Sequence, residues 1–344
     1  MADLSFIVPP HDATGSAARS AIAFHFRELT AQVPAAMSGD TEPVHQVRVA
    51  IRRLRAAIHL FAPYISAMKP KDIDERLKWI GAQAGAVRDL DVLAKTTQMR
   101  ARKLDPLIAK DLDPLFEEIR AARKKAADSL AAALTSRRYK SLVARLSEPI
   151  AITAEGDAAF GAVAGELFAP MLKSTLRAGE KMHETPTPED LHHLRKRAKR
   201  ARYALETMLG ISEKQLRGVL DHLEKLQELL GRYHDAVVAV KWIKDFANSR
   251  ELPLNVAFGC GALAESLQRR ERKLKRRGLK EWRRFTKTDP ERRIEKALDG
   301  IHPKAISTNS KGVSLPKGVS QKGVSNDDLH NAPRARRGSH SEVR

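Results

Sequence analysis

Residues 44–55, VHQVRVAIRRLR, align without a gap with residues 191–202, LHHLRKRAKRAR, at an offset of 147. Residues 77–95, which contain Gly85, Asp89 and Val92, align with residues 223–241, which contain Gly231, Asp235 and Val238, at an offset of 146. Two separate matches at nearly one displacement mark an internal duplication. Any fold for this chain must therefore accommodate one helical unit twice.

The 344 residues suit two packed units of roughly 100–150 residues, each with its own core. The apolar residues are mostly Ala and Leu, with few aromatics and few β-branched runs, which favours helix over sheet. Helical periodicity runs from about residue 16 to about 287. Breaks are expected at 38–43, 62–71, 185–188, 209–212 and 250–253. Ser212 three residues before Gln215, and Thr187-Pro188-Glu189-Asp190, read as helix starts. The expected fold class is all-α, with ten to twelve helices and no meaningful sheet. Its segments are a flexible N-terminus (1–14), a first bundle (15–150), a second bundle (151–300) and a disordered basic tail (301–344) carrying KGVS at Lys311, Lys317 and Lys322.

The formal net charge is +20. The tail holds eight Lys or Arg against three acids, so +15 remains with residues 1–300. Self-repulsion on this scale calls for an acidic partner. The single cysteine, Cys260, excludes an internal disulfide and offers no metal cluster; no metal and no cofactor are implied. The start MADLSFIVPP lacks the features of a secretory signal and no window reaches a membrane span, so a cytoplasmic protein away from membranes is expected.

On a helical wheel Val44, Val47, Ile51, Leu54 and Ile58 form one apolar arc, and His45, Arg48, Arg52 and Arg55 climb an adjacent face at about one per turn. In the second copy His192, Arg195, Lys199 and Arg202 stand beside Leu191, Leu194, Ala198 and Leu205. Arg53 and Arg200 accompany each ladder at equivalent places. Stacked cations repel, whereas a solvated helix face normally alternates signs. An anion with regularly spaced charge resolves the repulsion, and guanidinium groups offer paired donors to phosphate oxygens.

The second block reads as a helix ending at Gly85 or Gly231 and a new helix opening near Asp89 or Asp235, the acid capping backbone N–H groups. Arg88 and His234 stand just before the acid and Lys95 and Lys241 about two turns on, where they could also meet the anion. The basic run at 269–277 reads as a solvated face.

The paired motifs His45-x-x-Arg48-x-x-x-Arg52-Arg53-x-Arg55 and His192-x-x-Arg195-x-x-x-Lys199-Arg200-x-Arg202 resemble the signature of the CHAD family, the conserved histidine α-helical domain. Gly85-x-x-Arg88-Asp89-x-Asp91-Val92 resembles its second block, and the similarity covers roughly residues 15–290. The resemblance implies two four-helix bundles related by a pseudo-two-fold axis, with a basic central channel or cleft. It also implies inorganic polyphosphate as the partner and association with polyphosphate granules; the leading reading is a binding module without catalysis. Composition and spacing alone reach a polyanion. Nucleic acid is the secondary reading, invited by a pI near 10.2 but without a base-reading motif or interleaved aromatics. A metal-dependent phosphohydrolase is a third, suggested by His234-Asp235 and by the pairs Asp72-x-Asp74, Asp89-x-Asp91 and Asp111-x-Asp113. Against it, His234 aligns with Arg88, which cannot replace a metal ligand.

Overall fold

A computed structural model describes residues 6–66, 70–183 and 185–299; the tail expected at 301–344 lies outside the described residues. The first half contributes α1 (Thr14–Met37), α2 (Thr41–Leu60), α3 (Pro70–Ala101), α4 (Pro106–Lys110), α5 (Asp113–Thr135) and α6 (Arg137–Ser147). The second contributes α7 (Phe160–Glu180), α8 (Pro188–Thr207), α9 (Glu213–Asn248), α10 (Leu254–Lys287) and α11 (Pro290–Asp299). The fold is all-α: among the described residues there is no strand, only isolated bridges pairing Ala13 with Ala159 and Ile65 with Ile152.

The apolar arc read from sequence is the buried face of α2, where Val44, Val47, Ile51, Leu54 and Ile58 are at most 2% exposed. Leu191, Leu194, Ala198 and Leu205 bury the same face of α8. At α8 the expected start signal is a full capping box, in which Thr187 Oγ1 accepts from Asp190 N–H and the Asp190 carboxylate accepts from Thr187 N–H. Ser212 is the N-cap of α9 but its side chain makes no capping bond. Breaks at 102–105, 111–112 and 148–159 were not among those expected from the pattern. The first two flank the five-residue α4, too short to show a period.

Gly85 and Gly231 do not end helices. Both lie inside unbroken helices, α3 and α9, which at about 1.5 Å per residue are roughly 50 Å long. Asp89 and Asp235 are accordingly mid-helix residues rather than caps, and the backbone N–H groups beside Arg88 and His234 are inside helices. A mid-helix Gly costs about 0.5–1 kcal/mol relative to Ala; at Gly85 a close contact with Arg48, described below, accounts for it.

Two hydrophobic clusters fill the interior, and each draws on both halves of the chain. The larger joins α1, α2 and the front of α3 to α7, α8 and the front of α9. The smaller joins Leu93, Leu115 and Ile119 to Ala239, Ile243, Leu263 and Leu267. The cores are thus shared between the copies. Of the first 14 residues, 6–14 are described: Thr14 opens α1, Val8 is fully buried, its N–H donating to the Thr207 carbonyl at 3.0 Å, and the Phe6 ring packs on Phe24 at 5.6 Å.

Candidate functional site

Packing of α2 against α8, and of α3 against α9, brings the two ladders together. Arg48, Arg52, Arg195 and Lys199 are all half-buried. Lys199 titrates well below its usual 10.5, first because burial strips water from the ammonium and then because Arg52, Arg195, Arg48 and Arg55 surround it. Burial likewise pulls Arg48 and Arg195 down from 12.5, although guanidinium groups stay protonated. The Nε atoms of Arg52 and Arg195 and Nδ1 of His45 are buried without a hydrogen-bond partner among the described residues. Buried polar atoms of this kind are costly unless they find a hydrogen-bond partner, and the two guanidinium Nε–H groups need acceptors.

The mid-helix glycines are seats for these arginines. Arg48 reaches across α3, its guanidinium lying against Gly85, with Nη1 3.5 Å from the Gly81 carbonyl and Nη2 3.4 Å from Asp89. Arg195 lies over Gly231 in the same way on α9, and Asp235 is the acid whose charge acts on it most. A β-carbon at residue 85 would land on Arg48 Nη1, whereas one at 231 would meet Arg195 Nε at an ordinary 3.5 Å. Removing a helical glycine gains about 1 kcal/mol of propensity. Gly85→Ala is therefore expected to raise Tm while weakening anion binding several-fold, and Gly231→Ala to raise Tm with binding unchanged. Thermal melts paired with ligand titration check both.

The first rungs also match between halves. His45 feels the charge of Arg88, which, after desolvation, holds its pKa below 6.5. At the equivalent places the rings of His192 and His234 meet at 4.9 Å between centroids. Asp235, shielded from water and close to Asp89, is raised to about 6 despite Arg195, Arg88 and Arg232.

The last rungs are committed elsewhere. Arg55 makes two bonds to buried Asp74, at 2.7 and 3.2 Å, and His59 joins the same carboxylate at 3.0 Å. Arg202 turns to Glu206 at 3.1 Å and lies over the Tyr203 ring. Arg53 is buried against the same Glu206 at 3.4 Å, an ion pair that ties the two halves together. Arg200 is at the surface, where Arg197 and Arg55 lower its pKa after desolvation. Lys95 is exposed, and Lys241 is exposed and paired with Asp245 on its own helix at 2.6 Å. The geometry therefore gathers His45, Arg48, Arg52, Arg88, His192, Arg195, Lys199 and His234. It gives Arg53, Arg55 and Arg202 carboxylate partners and leaves Lys95 and Lys241 on the outer surface.

Sequence reading missed three contributors. Tyr203 is buried close to both Arg48 and Arg195, and its counterpart at 56 is Ala, so the duplication gave no signal. Asp74 and Glu206 are the acids that occupy the last rungs; only Glu206, four residues after Arg202, could have been seen in the spacing. Among the described residues no group of three His, Cys, Asp or Glu side chains is placed to share a metal ion, and no helix is long and apolar enough to cross a membrane.

The family model described as the CHAD domain matches residues 20–244. Among solved structures, the CHAD domain from the plant Ricinus communis superposes with a TM-score of 0.66 at 27% identity, over 80% of this chain and 94% of that one. PptA from Streptomyces chartreusis superposes with a TM-score of 0.65 at 17% identity, over 79% of this chain and all of that one, a likeness of fold. No curated protein sequence matches the chain at a meaningful level.

Proposed function

The chain belongs to the CHAD domain family, and from that premise we propose that it is a non-catalytic binder of inorganic polyphosphate, held between the two cationic ladders. The observation that carries this reading is the meeting of Arg48, Arg52, Arg195 and Lys199 from both copies. They are half-buried, with like charges foremost around Lys199 and with buried Nε donors awaiting acceptors. A chain of phosphates offers regularly spaced charge and several acceptor oxygens per unit, which suits guanidinium forks. The helix order supports two four-helix bundles, α1–α2–α3–α5 and α7–α8–α9–α10, each packed consecutively and related by a pseudo-two-fold axis, with the basic cleft between them. A cytoplasmic place, at polyphosphate granules, follows from the same reading.

Titration with long-chain polyphosphate and with duplex DNA at matched phosphate concentration, near physiological ionic strength, tests it. Surface charge is screened there over about 8 Å. Polyphosphate is expected to bind at least tenfold more tightly than DNA, because a stiff duplex about 20 Å wide cannot enter a cleft between packed helices while a single phosphate chain can. Equal affinities would reduce the site to a generic basic surface.

A further inference from the structure

Beyond the ladders the positive charge continues onto one seam between α3, α9 and α10. In the basic run of α10, Arg269 and Arg272 both turn to Glu265, at 3.4 and 3.2 Å. Arg270 is instead half-buried, and after desolvation the charges that act on it are those of Arg232 on α9 and Arg100 on α3, opposed by Asp235. Arg100 is fixed at this place, its Nη2 donating to the Ser266 carbonyl at 2.9 Å and to Ser266 Oγ at 2.5 Å, one helical turn before Arg270. Arg232 is tethered to exposed Glu228 at 2.9 Å, and Glu271 is engaged by the Tyr233 hydroxyl. Asp235 links the two regions, since it also faces Arg195 of the second ladder. Arg270 is thus a half-buried cation one helical turn past the Ser266 that anchors Arg100, within electrostatic reach of Arg232 and of Asp235, a carboxylate that also acts on the ladder.

We propose that Arg270, supported by Arg232 and Arg100, prolongs the phosphate track past Asp235 and makes the protein select chains long enough to reach from the ladders to this seam. The inference rests on the polyphosphate reading and adds to it a determinant of chain length on a helix outside both repeated motifs. A short oligophosphate fills the ladders alone; a longer one gains the seam.

Arg270→Gln tests this with two probes, tripolyphosphate and long-chain polyphosphate. The expected result is a loss of about tenfold for the long chain, the worth of one charge-assisted contact to phosphate. The salt dependence of log K for the long chain should also become shallower by about 0.7. Tripolyphosphate affinity should be unchanged, which also certifies that the variant folds. Equal loss on both probes would place Arg270 in the central site and overturn the proposal, as would no loss on either. If the unmodified protein bound neither probe, the polyphosphate reading itself would fail, a distinct result.

Discussion

A variant in which Arg48, Arg52, Arg195 and Lys199 are all replaced by Gln is expected to lose affinity for long-chain polyphosphate by at least about 1,000-fold while remaining helical. Four contacts to phosphate, each worth about 1.5–3 kcal/mol when fully formed, exceed that loss even after heavy discounting for non-additivity. The slope of log K against log salt should become shallower by about 3, because four fewer cations displace counterions from the ligand. The fold should survive for a physical reason: these side chains repel one another in the empty site, Lys199 above all, so their removal relieves strain among cations. Circular dichroism establishes helicity, and a paired replacement of Arg269 and Arg272, both tied to Glu265, is the matched control in which charge is removed without effect. Unchanged binding in a folded quadruple variant would end the ladder reading.

The ladder was legible because helical geometry turns spacing into position: residues three or four apart share a face wherever the helix lies. The same rule found the apolar arcs of α2 and α8, which are buried as read. Partners across the fold were not legible. Arg55 has the spacing of a ladder residue and Arg53 stands beside the ladder, but Asp74 and Glu206, brought in from other elements, hold them. Gly85 and Gly231 read as helix stops because Gly usually marks one, whereas both lie mid-helix under an arginine, and only at Gly85 does the missing β-carbon make room that the guanidinium needs. Nor could spacing separate Arg270 from Arg269 and Arg272 in an almost unbroken basic run; only the packing of α10 against α3 and α9 does so. The duplication told which residues correspond, and the asymmetries between correspondents, such as Arg88 against His234 or Ala56 against Tyr203, are where the two copies differ in chemistry.

Binding of polyphosphate is expected to take up a proton at Lys199. In the empty protein this amine titrates well below 10.5 because it is stripped of water among four guanidinium groups. Between that lowered value and 10.5 the unfolded chain carries a proton that the native state lacks, so stability rises with pH through this window. The cost of the buried amine is fully present below the lowered value and vanishes above 10.5. A bound polyanion supplies the missing counter-charge and raises the amine back toward its ordinary range. One linked proton strengthens binding by up to about tenfold for each unit that pH falls within the window. Asp235, at about 6, and His45, below 6.5, lie among the same cations and would add their own uptake in acid, so measurements above pH ~7.5 isolate the lysine. Calorimetry in buffers of different ionisation enthalpy, scanned from about pH 7.5 to 9.5, reads the protons directly. Wild-type uptake that disappears in Lys199→Met, together with a higher Tm for the empty variant, is the expected pair of results. Absence of uptake at every pH in the wild type would mean that Lys199 is already charged without ligand, and that the repulsion among these cations is met within the protein rather than by a phosphate chain.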